Sequence, residues 1–153
     1  RLRDMKSLKI VSWAMLLLVA LTGCGDKDKP KPGDKNIVAG EWSLVQWNDE
    51  TPDFHVYVDF KSDGTFEMYQ QVWSLAYEYF SGTYTISGDV LTGQYADGSN
   101  WACGYRVSVV DGQLIMYSQE DISITSVYEM CTIPEEIKAE ATTTRSAEVV
   151  PFL

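Results

Sequence analysis

His55-Val56-Tyr57-Val58-Asp59-Phe60-Lys61-Ser62-Asp63-Gly64-Thr65-Phe66-Glu67-Met68-Tyr69-Gln70-Gln71 is the stretch that decides the fold. Val56, Val58 and Phe60 alternate with more polar residues, the two-residue period of a strand with one buried face. Lys61-Ser62-Asp63-Gly64 is turn chemistry, with Gly64 free to take a positive φ. Thr65 to Gln71 resumes the strand composition, so residues 55–71 read as a hairpin.

The same rhythm extends in both directions. Gly40 to Trp47 forms a first strand, rich in aromatic and β-branched residues. Tyr77 to Ile86 follows the hairpin, with Gly82 expected as a bend or bulge, and Ser87-Gly88-Asp89 turns it into Val90 to Tyr95. Residues 96–100 make a loop, Cys103 to Val110 goes out, Asp111-Gly112 turns it, Gln113 to Ser118 returns, and Ile122 to Ile133 is last. Eight short strands on short connections predict an all-β fold, an up-and-down antiparallel meander closed into a barrel. A barrel of that size is either filled by its own side chains or holds one small ligand. Pro134 to Ala141 reads as a short C-terminal helix, with Pro134 in its first turn and Glu135 and Glu136 at its positive end. The apolar segment Val149 to Leu153 is expected to dock on the barrel.

The N-terminal region reads as an address. Arg1, Arg3, Lys6 and Lys9 form a positive head, with Met5 offering a start within it. Ile10 to Leu21 is apolar except for Ser12 and too short to span a bilayer, which needs about 20 residues. A charged head, a short apolar stretch and small residues at its end make a signal peptide. Residues 24–37, charged and rich in Pro and Gly, read as a disordered tether. The domain plan is therefore signal 1–23, tether 24–37, barrel 38–133, and helix with tail 134–153.

Beyond residue 23 the chain carries 8 basic against 21 acidic side chains, a net charge of −13. That excludes nucleic acid, which needs a basic footprint, and electrostatic attachment to anionic lipid headgroups. An oxidising envelope suggests a disulfide between Cys103 and Cys131, while the strand order sets the two thiols near opposite ends of parallel strands. His55 is the only histidine, so no His/Cys cluster points to a metal and no cofactor is implied.

Several motifs, in order, carry a family resemblance: Gly40-Glu41-Trp42, Asp59 to Phe66, Gly82-Thr83-Tyr84-Thr85-Ile86-Ser87-Gly88-Asp89-Val90-Leu91, and Tyr105-Arg106-Val107 through Asp111-Gly112-Gln113-Leu114. Together they resemble the lipocalin-like lipoproteins of Gram-negative bacteria, within the calycin superfamily. The resemblance implies an eight-stranded lipocalin-like barrel over residues 38–133, Trp42 plugging its closed end, and a small apolar ligand. The arginine that packs across that tryptophan in many lipocalins has no counterpart in Ser126 to Met130. Leu21-Thr22-Gly23-Cys24 likewise resembles a lipobox, which implies acylation of Cys24, palmitate included, and anchoring to a membrane. Asp26 and Asp28 resemble an acidic signal for the outer face of the outer membrane, and serve equally well as linker.

The expected function is a non-enzymatic, lipid-anchored protein of the outer membrane, periplasmic or surface-exposed, that binds a small apolar or amphipathic ligand. The alternative is a protein-interaction module or accessory subunit of a cell-surface complex, with a filled barrel. Contact residues are expected at Trp73 and Tyr77, in the apolar connection Val72 to Tyr77, and at Trp101 in an opposing loop. No Gly-x-Ser-x-Gly elbow, P-loop or His-Glu-x-x-His is present, and the loop carboxylates sit where turns place them.

Overall fold

The structure is a computed structural model and describes residues 36–143 and 149–153. The signal 1–23, the lipobox with Cys24 and nearly all of the tether lie outside the described residues. Eight strands run in chain order: β1 (Gly40–Trp47), β2 (His55–Phe60), β3 (Thr65–Gln71), β4 (Glu78–Ser87), β5 (Val90–Tyr95), β6 (Tyr105–Val110), β7 (Gln113–Ser118) and β8 (Thr125–Met130). Each pairs antiparallel with its neighbours, and β8 closes on β1. Helix α1 (Glu135–Thr143) packs on the outer wall over β3 and β4.

The deciding hairpin forms as its alternation requires. Val58 faces Met68 and Phe60 faces Phe66 across β2 and β3, all four buried inside. Asp63 Oδ1 accepts from the Thr65 amide at 2.9 Å and from its hydroxyl at 2.6 Å, which fixes the turn. At the β6–β7 turn both Asp111 and Gly112 have positive φ, the pair a tight two-residue hairpin demands.

Three departures from the sequence reading have local causes. The last strand begins at Thr125 because Asp121 Oδ1 caps a turn through Ser123, leaving Ile122 in a loop. Its assigned end is Met130: Cys131 still donates to the Glu41 carbonyl in the same register, and the Ile133 amide then bonds to the Glu41 carboxylate in place of a further rung. Gly82 carries no register break; it is where β4 and β5 backbones come so close that a Cβ would stand 2.0 Å from the Gln94 carbonyl. The register shift lies in β1, between Leu44 and Gln46.

Alternating strand directions sort the connections into two ends. The closed end holds turns 61–64, 88–89 and 111–112; the open end holds loops 48–54, 72–77, 96–104 and 119–124. Trp42 seals the closed end, fully buried, its Nε1 donating to Val38 O at 2.7 Å. Tyr84 Oη and Asn36 Nδ2 bond beside it, with Tyr84 donating to Lys61 O. The axis above is filled by Phe60, Phe66, Met68, Leu91, Leu114 and Met116. Cys103 and Cys131 are both free, one before β6 at the open end and one after β8 at the closed end. Cys103 Sγ lies 3.3 Å from Ser118 Oγ.

Candidate functional site

The barrel is least continuous between β5 and β6, which pair only at Val90–Arg106 and Leu91–Tyr105. Trp101 closes that seam. Its amide donates to Gly93 O at 3.0 Å, and its ring turns inward against Phe66 (centroids 5.2 Å), Phe60 and Tyr105. Gly93 makes this possible, since a Cβ there would lie 2.1 Å from Cε2 of Trp101. A groove of about 540 Å³ runs along the outer wall over this seam, with Thr83, Thr85, Thr92, Gln94 and Asn100 around it.

At the open end the distinctive feature is a segment returned from the far end of the chain. Val150 to Leu153 lies in the mouth, held by side chains from four places. Gln70 Nε2, at the end of β3, donates to Val150 O at 3.0 Å, while its Oε1 accepts from the Phe152 amide at 2.8 Å. Trp73 Nε1 also donates to Val150 O, at 3.1 Å. Tyr95 Oη donates to Leu153 O at 2.5 Å. The Phe152 ring joins a cluster with Trp47 and Phe54, and Leu153, 2% exposed, drops into the barrel core.

The polar members of this site are themselves anchored. Gln70 is fully buried and donates a second bond to Glu78 Oε2 at 3.1 Å. Glu78 is also buried, and its other oxygen accepts from Ser74 Oγ at 3.4 Å. Burial pushes the Tyr95 phenol well above its ordinary pKa, against the opposing effect of the Leu153 carbonyl, so it is a neutral donor at any biological pH. An open groove of about 340 Å³ continues from the seat between Asp53–Phe54 and Gln71–Leu75. Around it the rim exposes Trp73 (68%), Leu75 (94%), Ile122 (79%) and Val150 (67%).

The three residues singled out from the sequence do not converge. Trp73 stands on the rim and touches the seated segment. Tyr77 packs on the outer wall against Tyr57, in the cluster under α1 that includes Ile137 and Ala141. Trp101 is a core residue, drawn inside by the vacancy at Gly93. His55 is exposed at the start of β2, and among the described residues no group of His, Cys, Asp and Glu could hold a metal ion. No helix among the described residues is long and apolar enough to cross a membrane.

A family model described as a lipocalin-like domain matches residues 38–128. The chain belongs to the lipocalin-like domain family. Among solved structures, this lipocalin-like domain is similar to a lipocalin-like protein from Bacteroides uniformis. The two are 19% identical with a TM-score of 0.48, over 61% of this chain and 97% of that one. It is also similar to an uncharacterized protein from Bacteroides eggerthii, at 16% identity and a TM-score of 0.45, over 61% and 98% of the two chains. No curated protein matches the sequence. The family match ends before Val150, so the segment seated in the mouth is outside it.

Sequence reasoning missed Trp47, Phe54, Gln70 and Tyr95 as members of one site. One signal was available: Phe66, Met68 and Gln70 share the inward face of β3, so an amide is placed where the pattern asks for an apolar side chain.

Proposed function

We propose that this lipocalin-like domain is a lipid-anchored, non-enzymatic protein of the outer membrane that binds an apolar or amphipathic ligand at the open mouth of its barrel. The observation that carries the reading is the seat itself. Gln70, Trp73 and Tyr95 present directed hydrogen-bond donors beside an aromatic pair, Trp47 and Phe54, and a segment remote in sequence fills the space they define. Sites that bind small amphipathic molecules have this composition: mostly apolar walls with a few placed polar groups. The filled axis restricts the ligand to the mouth, where Phe152 and Leu153 would leave room on withdrawal.

The anchor rests on the lipobox Leu21-Thr22-Gly23-Cys24. Two or three acyl chains on Cys24, at about 0.8 kcal/mol per buried CH₂, hold a protein on a membrane. Replacing Cys24 by Ala is expected to move the protein from the membrane to the soluble envelope fraction and to abolish palmitate labelling; retention with label would refute the anchor. The ligand is tested by native mass spectrometry on the whole mature protein, extracted gently from its own host. A stoichiometric adduct of a small molecule or a peptide supports the reading, and a clean apo mass after incubation with both a host lipid extract and an envelope peptide digest counts against it.

A second reading, an interaction module for a protein of the same envelope, is favoured by the exposed rim of Trp73, Leu75 and Ile122.

A further inference from the structure

The segment in the mouth is held chiefly through its backbone. Gln70 donates to the carbonyl of residue 150 and accepts from the amide of residue 152, one amide side chain gripping two backbone groups two residues apart. That spacing is what a single residue engages on its neighbour in a parallel β-ladder, so the carboxamide stands in for a strand. Pro151 falls between the two gripped groups, where its missing N–H costs nothing. Proline also biases Val150 toward extended backbone, the shape the seat accepts. Tyr95 then takes a third backbone carbonyl, that of Leu153. Trp47 with Phe54 accepts an aromatic ring, and the barrel core accepts the branched aliphatic side chain after it. A fatty chain would leave Gln70 Oε1 and the Tyr95 hydroxyl without partners, while Gln70 Nε2 kept its bond to Glu78, at the cost of buried unsatisfied polar groups.

We propose that the mouth is a peptide-recognition site for an extended segment of a partner protein in which proline, an aromatic residue and a branched aliphatic residue follow one another. Residues 150–153 occupy that site in cis as its resident competitor. This rests on the mouth being the binding site and names the class of ligand. The groove of about 340 Å³ between Phe54 and Trp73 provides the path by which a longer segment leaves the seat.

The experiment uses the whole mature chain and a fluorescein-labelled peptide with the sequence of residues 147–153, read by fluorescence anisotropy. In the wild type the tethered segment competes at an effective concentration of about millimolar, so the peptide binds poorly. The variant carrying Phe152→Ser and Leu153→Ser is expected to bind it at least about tenfold more tightly, and adding Gln70→Leu is expected to remove that gain. Peptide binding that survives Gln70→Leu overturns the backbone grip. A double variant that takes up a fatty-acid probe but not the peptide overturns the peptide class and leaves the mouth as a binding site. Uptake of neither overturns both. If the double variant lacks the wild-type near-ultraviolet spectrum, saturation-transfer NMR on the wild type with millimolar peptide decides. Transfer to the peptide's phenyl and leucine methyl protons, absent for a scrambled peptide, supports the proposal, and no transfer overturns it.

Discussion

Gly93→Ala tests how the barrel is closed at its weakest seam. The new Cβ would sit 2.1, 2.4 and 2.6 Å from three carbons of the Trp101 ring, against about 3.5–4.0 Å for carbon atoms at optimal separation. The ring must therefore retreat by more than an ångström, and Phe60, Phe66 and Tyr105 line its other sides at centroid distances of 5.2–6.3 Å. If the ring stays, overpacking costs about 1–3 kcal/mol. If it is expelled, the loss approaches the about 3–5 kcal/mol of a buried tryptophan truncated to alanine. The expected destabilisation is about 3 kcal/mol, read as a fall in the urea midpoint at constant slope. Trp101→Ala removes the obstacle, so in that background Gly93→Ala should cost less than about 1 kcal/mol, giving a coupling of about 2 kcal/mol in the double-mutant cycle. A Gly93→Ala protein within about 0.5 kcal/mol of wild type, the range of a neutral surface change, would refute the placement of Trp101 inside the barrel.

Three further outcomes are expected. Burial raises the pKa of Glu41, but the bonds from Lys138 Nζ (2.9 Å) and the Ile133 amide outweigh it, and the carboxyl lies below its usual range. Its folded pKa being depressed, its contribution is complete above the ordinary glutamate range and is lost as pH falls through the folded value. Glu41→Gln should cost about 1–2 kcal/mol at neutral pH, discounted for partial exposure, and flatten the acid limb of stability between neutrality and pH 3, followed by urea midpoints. Leu153→Ala should cost at most about 2–3 kcal/mol, because local release of the segment caps the loss, and should speed hydrogen exchange of the Phe152 amide far more than that of Trp42. Cys103 and Cys131 should both react with a thiol reagent in denaturant without prior reduction, and replacing both with Ser should leave the mouth's ligand behaviour unchanged; a mass gain of two hydrogen atoms on reduction would refute their separation.

Most of the barrel was legible because its signals are local. The alternation of residues 55–71 and the Asp-Gly turn at 111–112 each act over fewer than 20 residues, and the meander follows once every turn is short. Strand ends were less legible where side chains intervene, as when Asp121 caps a turn or the Glu41 carboxylate takes the Ile133 amide. Trp101 and Tyr77 were placed with Trp73 because loop composition says that a ring is present and not which way it turns. The space at Gly93 decides the first and the Tyr57–α1 cover decides the second. The mouth was beyond local reading. Trp47, Gln70, Tyr95 and Phe152 come from β1, β3, β5 and the 149–153 segment, and meet only when the sheet closes and the segment returns.

The central claim is that residues 150–153 occupy the binding mouth and can leave it. It is tested most directly by electron–electron resonance between spin labels at Val150→Cys on the rim and Val110→Cys at the opposite end, in a chain with its other cysteines replaced by Ser. The account requires one narrow distance distribution for the protein alone, and a broad one once the peptide or the host-derived ligand is bound. A distribution already broad without ligand, or one that stays narrow with ligand bound, would contradict it.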